Sequence, residues 1–195
     1  ARLTVAAAVV VIVINAVGLT VGSARQLATA QQLIEDGVRK EIGLHLKAAA
    51  KPGDSVFLEP LGYIGYFSQL KMHDFPGLSS LEMTNARRRL GSDWSYLIND
   101  LDPDWLVLRD HEIQQLEQKD PAIFAYLYQV DQVFDNRAKV EAADIPGKAY
   151  LIFDSRFTVY RRARESSAMT SYGTAYGAFL PPAEKPIHDQ LMMMV

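Results

Sequence analysis

The chain has no cysteine among its 195 residues, which excludes disulfide bonds and cysteine-ligated metal sites. It also lacks an excess of positive charge, because 20 lysine and arginine residues stand against 23 aspartate and glutamate residues and the net charge is -3. A nucleic-acid-binding domain needs a concentrated basic face. The composition therefore predicts neither a disulfide-stapled scaffold nor a nucleic-acid partner.

Familiar catalytic and cofactor signatures are missing as well. The sequence has no GxSxG elbow of a serine hydrolase, and the glycines Gly62 and Gly65 form GxxG rather than the GxGxxG of a dinucleotide site. A zinc site needs three or four converging ligands. The histidine–carboxylate pairs His73-Asp74 and His111-Glu112 are candidates, but neither has a further ligand at i+4. We therefore predict no cofactor and no metal.

A run of 19 residues near the N-terminus, residues 3–21, contains no charged side chain. As an α-helix this run would be ~28 Å long, which matches the hydrocarbon core of a bilayer. The pattern predicts a transmembrane helix within residues 1–24. A cleaved signal peptide is the alternative, with Arg2 and the small residues 22–24 at its two ends, but the run exceeds the usual apolar length of about 7–15 residues.

The position of this run also bears on the parent protein and its topology. The chain starts with alanine rather than methionine, so we expect a piece of a longer protein in which residues 3–21 form the last span. Arg2 precedes the run and Arg25 follows it. Because the positive-inside rule needs a larger imbalance, charge alone does not predict the topology.

Residues 25–164 have the pattern of a small layered α/β domain with a mixed sheet. Apolar residues spaced by three and four over residues 26–50 predict an amphipathic helix, which Pro52 and Gly53 end. Strands alternating with helices predict a partly parallel sheet, followed by a partly ordered tail at 165–195. The predicted strands cover 56–58, 71–74, 105–108 and 128–134, with a closing hairpin of 150–153 and 157–160; the predicted helices run from Ser79 or Ser80 to 101 and over 112–119 and 121–127.

Three groups of residues are candidates for a site. Glu59 and Asp74 are expected at neighbouring strand ends, where α/β sheets commonly bind ligands, and a pair of carboxylates could serve a hydrolase. Gly62 and Gly65 predict a tight turn between a strand and a helix. The triplet Arg87-Arg88-Arg89 is typical of a solvated helix face, and a contact with anionic lipid headgroups or a lipid-linked phosphate is the functional interpretation.

Several short motifs resemble one family in their order and spacing. They are EPLGYIGYFS at 59–68, HDFPGL at 73–78, PDWLVLR at 103–109 and YRR at 160–162. They resemble the soluble C-terminal part of bacterial polytopic glycosyltransferases of the glycosyltransferase C superfamily, relatives of the dolichyl-phosphate-mannose mannosyltransferases. The resemblance covers about residues 24–162 and implies transfer of a sugar from a polyprenyl-phosphate donor. The candidate functional motif that it marks comprises Glu59, Gly62, Gly65, Asp74, Gly77 and Leu78.

The resemblance also limits the expected activity. In that superfamily the catalytic acidic residue lies in the first extracytoplasmic loop between early transmembrane helices, and this chain has no such loop. We therefore predict no catalytic residue here, but a non-catalytic accessory domain on the periplasmic or extracellular side of a bacterial inner membrane. Its partners would be the membrane, the upstream transmembrane domain, and a lipid-linked sugar or glycan acceptor. The alternative is a single-span binding module of the cell envelope for a glycan or protein; a hydrolase using Glu59 and Asp74 is a third hypothesis.

Overall fold

A computed structural model describes residues 2–163 of the chain. The structure begins with one uninterrupted helix that has three parts. An α-helix, α1 (Arg2–Thr29), continues into a π-helical stretch (Ala30–Arg39) and then into α2 (Lys40–Ala49). Within the described residues, this is the one helix long and apolar enough to cross a membrane, and its apolar window is not buried by the rest of the chain.

The continuity of this helix differs from the sequence prediction, which placed a separate amphipathic helix after the membrane exit. No proline interrupts residues 3–49, so the helical ladder has no forced end there. A side chain from a distant part of the sequence explains the π-helical stretch. The side-chain amide of Asn136 donates to the carbonyls of Leu33 (2.9 Å) and Gly37 (3.1 Å). A side chain inserted into the carbonyl ladder is a known origin of such irregularity. Gly37 permits this approach, because a Cβ built there would lie 2.6 Å from the Asn136 Nδ2.

The chain reverses after α2 and forms an α/β domain with a five-stranded mixed sheet in the order β2-β1-β3-β5-β4. Strands β1, β2 and β3 are parallel, and β5 runs antiparallel to both β3 and β4. The strands are β1 (Ser55–Leu58), β2 (Lys71–Asp74), β3 (Trp105–Leu108), β4 (Tyr128–Asp135) and β5 (Arg156–Arg162); the helices are α3 (Leu61–Ser68), α4 (Leu81–Leu90), α5 (Trp94–Leu101), α6 (Asp110–Lys119), α7 (Arg137–Ala142) and α8 (Lys148–Phe153), with a π-helical turn at Ile123–Leu127.

Both faces of the central strands β1 and β3 are buried. On one face, Leu106 and Leu108 pack with residues of α4, α5 and α6. On the other face, Trp105 and Val107 pack with residues of α2 and α3. This arrangement explains why the strand has four consecutive apolar residues, since a parallel strand covered by helices on both faces needs no polar side.

The predicted closing hairpin is wrong in its first half. Residues 148–153 form the helix α8, which follows Gly147 at a φ of 67°. Leu151 packs there against Ile34 and Val140 in a third cluster, next to the long helix. A four-residue apolar run cannot by itself distinguish a strand from a buried helical turn. The strand β5 instead pairs with β3 and β4, which lie far from it in the sequence.

The glycine prediction is also corrected. Gly62 and Gly65 lie inside α3 rather than in a turn before it, and both have negative φ. The other element predictions are confirmed: the helix stop near Pro52, the strands at 56–58, 71–74 and 128–134, the N-cap at Ser80, and two helices between 81 and 101. The predicted tail at 165–195 lies outside the described residues.

Candidate functional site

A buried cluster of charged side chains is built around Arg109, the residue that directly follows β3. Its side chain is 6% exposed, and its guanidinium donates to three carboxylates. Nε donates to Asp154 Oδ1 (2.6 Å), Nη1 to Glu112 Oε1 (2.7 Å) and Nη2 to Glu59 Oε2 (2.6 Å). Arg109, Glu59, Glu112 and Asp154 are called the Arg109 cluster below.

The cluster joins segments that are distant in the sequence. Glu59 directly follows β1, and Glu112 lies in the first turn of α6, where it also accepts the backbone N–H of Arg109 at 2.7 Å. Asp154 follows α8 and receives a second guanidinium through its Oδ2, because Arg39 Nη2 donates to it at 2.8 Å. The cluster therefore ties the carboxyl ends of β1 and β3 to the long N-terminal helix.

Burial and charge act in opposite directions in the cluster. Burial by itself would lower the pKa of Arg109. The attraction of the three carboxylates is stronger and raises that pKa above its ordinary value, so the guanidinium stays charged. Burial raises the pKa of Glu112, against the attraction of Arg109. Burial and the positive charge of Arg109 lower the pKa of His111, whose ring lies 4.4 Å from that of Phe153. Both effects favour the neutral form of the His111 imidazole.

The cluster lies at a topological switch point of the sheet. The chain leaves β1 through α3 on one face of the sheet and leaves β3 through α6 on the opposite face. The two neighbouring strands thus end in a crevice between diverging connections, which is where open α/β sheets bind ligands. A cleft of about 830 Å³ opens there. Aromatic rings, amides and charged groups line it, including Phe75, Trp94, Phe153, Gln115, Gln118 and Lys119.

The cleft is on the side of the sheet nearer the apolar helix. One surface depression is lined by Ala49 at the end of α2 and by Asp54 and Asp104, which directly precede β1 and β3. Lys51 lines it as well. The amino ends of the two strands therefore lie at the height of the end of α2. Asp154 binds both Arg109, which directly follows β3, and Arg39 on the long helix. The carboxyl ends of the strands therefore lie at the height of Arg39 along that helix. Ten helical residues separate Ala49 from Arg39, which corresponds to ~15 Å. The carboxyl edge of the sheet therefore faces back toward residues 3–21.

The two carboxylates of the sequence hypothesis have separate partners. The strand ends are neighbours as predicted, since Leu58 pairs with Asp74 in the sheet register. Asp74, however, accepts bonds from Leu78 N (2.7 Å), Ser79 N (3.1 Å) and Ser79 Oγ (2.7 Å), so it caps the turn after β2. Glu59 is bound to Arg109. The structure thus assigns each carboxylate to its own local network.

The remaining motif residues surround this turn or lie on α3. Gly77 has a φ of 75°, in the left-handed region that favours glycine, and a Cβ there would lie 2.8 Å from the Thr84 Oγ1. A Cβ on Gly65 would lie 3.0 Å from Leu61 Cδ1, whereas one on Gly62 would meet nothing within 4 Å. Leu78 is 87% exposed. Glycine is therefore favoured at position 77 by both the backbone conformation and the close contact, whereas a Cβ at position 65 would displace only the end of the Leu61 side chain. Neither Gly62 nor Leu78 has a close packing constraint.

The arginine triplet lies in the last turn of α4 and has mainly local contacts. Arg87 Nη1 donates to the carbonyls of Phe75 (3.1 Å) and Pro76 (3.0 Å), and its guanidinium lies 4.8 Å from the Phe75 ring centre. Arg89 pairs with Asp100 at 2.6 Å, and Arg88 is exposed. The predicted contact of the triplet with lipid or phosphate stays a prediction.

Within residues 2–163 no group of three or more histidine, cysteine or acidic residues has the arrangement of a metal site.

Sequence reasoning missed Arg109, Asp154 and Arg39. One signal was present, since a charged residue directly follows each of the buried strands β1 and β3. The pairing of Arg109 with Asp154 spans 45 residues, and that of Arg39 with Asp154 spans 115. No spacing within the sequence encodes such contacts.

The fold and the site define a small α/β domain carried on a long apolar helix, with a cleft at the switch point of its sheet. The chain belongs to the family described as a domain of unknown function, DUF8728, which matches residues 25–167. No curated protein and no solved structure gives a significant match.

Proposed function

We propose that this chain is the non-catalytic C-terminal accessory region of a membrane glycosyltransferase that uses a polyprenyl-phosphate-linked sugar donor. In this proposal residues 3–21 cross a bacterial inner membrane and the α/β domain lies on the periplasmic or extracellular side. The sequence motifs at 59–68, 73–78 and 103–109 support the proposal through their resemblance to the glycosyltransferase C superfamily. The length and apolar surface of the N-terminal helix support the membrane anchor.

The observation that carries the proposal is the direction of the cleft. A rigid helix joins the apolar segment to the domain, and the carboxyl edge of the sheet lies level with Arg39, roughly 25 Å along the helix from Val21. A cleft that faces the bilayer at this height suits a ligand presented from the membrane surface. A lipid-linked sugar or the upstream transmembrane domain meets that description.

The chemistry of the Arg109 cluster favours binding over catalysis. A general acid or base must be within reach of a substrate proton and free to exchange it. Glu112 and Asp154 are buried, and both are bound to the guanidinium of Arg109 at distances of 2.6–2.7 Å. Glu59 is 38% exposed, but its Oε2 accepts a hydrogen bond from the same guanidinium. The carboxylates of the cleft thus serve chiefly to hold its walls together.

One feature of the cleft favours the alternative, a single-span envelope module that binds a glycan. Aromatic rings beside amide and charged side chains, as with Trp94, Phe153 and Gln115, can contact both faces and hydroxyls of a sugar. The upstream gene sequence separates the two functions. Further spans with an acidic residue in the first outer loop support the transferase, whereas a start codon directly before Ala1 supports the glycan-binding module and overturns the transferase.

An activity assay on the full transferase tests the role of the cleft. Gln115→Trp narrows the cleft without replacing a residue of the Arg109 cluster, and Gln114→Trp is the matched control on an exposed neighbouring position of α6 outside the cleft lining. We expect Gln115→Trp to lower sugar transfer about tenfold or more, equivalent to a barrier increase of ~1.4 kcal/mol, while Gln114→Trp retains activity. Equal activity of the two variants, or sugar transfer by the 195-residue chain alone, would overturn the proposal.

A further inference from the structure

The connection between α7 and α8 lies against the part of the long helix that directly follows the apolar run. A Cβ built on Gly22 would lie 3.6 Å from the Cγ of Pro146, and a Cβ built on Gly147 would lie 2.5 Å from the Nε2 of Gln26. Gly22 is the first residue after the charge-free run of residues 3–21. The α/β domain therefore reaches down to the end of that run.

The height of this contact corresponds to the headgroup layer of a bilayer. The polar layers add roughly 5–7 Å on each side of the hydrocarbon core. Gln26 lies four helical residues beyond Gly22, or ~6 Å further along the axis. If residues 3–21 fill the hydrocarbon core, Pro146 lies at its boundary and Gly147 lies within the headgroups.

The side chains exposed at this height suit such a layer. Tyr150, in the first turn of α8, is 72% exposed, and Leu27 on the long helix is 71% exposed. Tyrosine is enriched where an apolar ring can meet acyl chains while its hydroxyl stays hydrated. Asp144 and Lys148 flank the connection with opposite charges, and Lys148 Nζ donates to the Glu141 carbonyl at 2.8 Å. These two charges cancel, so the connection itself has no net charge that would require anionic lipid.

We infer that Pro146 and Tyr150 form a second membrane contact, which rests in the headgroup layer of a zwitterionic phospholipid bilayer beside the transmembrane helix. This inference rests on the membrane anchor of the proposed function. A single helix leaves a domain free to tilt at the membrane surface. A second contact on one side of the helix removes that freedom.

The contact is mechanically connected to the cleft through α8. The helix begins beside the proposed lipid contact, and its buried Leu151 packs against Ile34 of the long helix. Its last residue, Phe153, lines the cleft, and the next residue, Asp154, belongs to the Arg109 cluster. The same six-residue helix therefore links the membrane surface to the wall of the site. Seating α8 on the bilayer orients the cleft toward it.

Depth measurements on single cysteines test this inference in the full chain. Because the sequence contains no cysteine, a nitroxide can be attached at one chosen position at a time. The variants are Pro146→Cys and Tyr150→Cys as probes, Ile12→Cys in the apolar run, and Tyr66→Cys as an exposed aromatic control on α3. Each is placed in phosphatidylcholine nanodiscs, and the accessibility of the label to oxygen and to a water-soluble nickel chelate is measured.

We expect an oxygen-to-nickel ratio at 146 and 150 that is several-fold above that at 66 and below that at 12. If position 12 is in the hydrocarbon core but 146 and 150 match 66, the second contact is overturned while the membrane anchor stands. If 146 and 150 are shielded from both reagents, a protein contact covers them and the lipid contact is overturned. If position 12 matches 66, the anchor itself fails, and the inference fails with it.

Discussion

The Nη2 atom of Arg109 lies 2.6 Å from Oε2 of Glu59, which joins the carboxyl ends of β3 and β1 across the switch point of the sheet. The same guanidinium binds Glu112 and Asp154, so one cation holds three carboxylates at the base of the cleft. Removing that cation would leave buried anions without a partner.

Replacing Arg109 by methionine tests this role. Breaking a buried ion pair by removal of one partner typically costs about 3–5 kcal/mol. We expect Arg109→Met to lower the free energy of unfolding by about that amount in denaturant melts of the detergent-solubilised chain. Arg161→Met is the control, because Arg161 is 62% exposed and should change stability by less than about 0.5 kcal/mol. Similar small losses for both variants would contradict the structural role of the cluster.

The central strand provides a second test of the fold. Leu106 and Leu108 are fully buried beneath α4, α5 and α6. Leu106→Ala or Leu108→Ala should lower the free energy of unfolding by about 2–5 kcal/mol, because each leaves a cavity in a packed core. Val130→Ala is the control, since Val130 lies on β4 with 60% exposure. Losses below ~0.5 kcal/mol at both leucines would place β3 at the surface.

Asp74 tests whether the turn after β2 has a structural or a ligand-binding role. Its two carboxylate oxygens both accept backbone N–H groups, from Leu78 and from Ser79. An asparagine has only one acceptor oxygen, so its NH₂ group would face a donor. We therefore expect Asp74→Asn to lower stability by about 1–3 kcal/mol, with the exposed Asp144→Asn as the control. Unchanged stability together with reduced sugar transfer by the proposed full-length transferase would instead assign the charge of Asp74 to a ligand.

His73 predicts a specific pH dependence of stability. Burial, aided by Lys71, lowers its pKa below the ordinary value, whereas Glu82 and Asp74 act in the opposite direction. The unfolded chain then binds a proton at about pH 6.5 that the folded chain does not bind until a lower pH. The contribution of neutral His73 to the free energy of unfolding is complete above about pH 6.5, and it decreases as the pH falls toward the pKa of His73 in the folded chain.

NMR titration of the imidazole C–H signal of His73 gives its folded pKa directly. His73→Gln should make the free energy of unfolding less dependent on pH between about 7 and 5 than it is in the wild-type chain. His45→Gln is the comparison variant on α2. A folded pKa of His73 at or above the ordinary value would reverse the predicted sign.

The sequence predicted those parts of the fold that depend on local patterns. The strands at 56–58 and 105–108 are apolar runs with proline or aspartate close to their ends, and Ser80 has the side chain of an N-cap. Such signals act within a few residues. They were therefore sufficient for the α/β class and for most element boundaries.

The failures occurred where distant contacts decide the structure. Residues 150–153 have a strand-like composition, yet Leu151 is buried against Ile34 on the long helix, and this packing selects a helical turn. The same applies to the site, since Arg109 acquires its role only when β1, α6 and α8 bring carboxylates to it. Asp74 was identified as a candidate, but its capping bonds are visible only in the folded turn.

In the proposed function, the apolar helix holds the domain at a membrane with the carboxyl edge of the sheet facing the bilayer. Energy transfer from single labelled cysteines to acceptor dyes on lipid headgroups measures this orientation. Leu78→Cys places the donor in the exposed turn at the carboxyl edge, and Lys51→Cys places it at the exposed amino edge, with levels separated by ~15 Å along the helix. We predict stronger transfer from position 78 than from position 51. Equal transfer, or stronger transfer from position 51, would contradict the account.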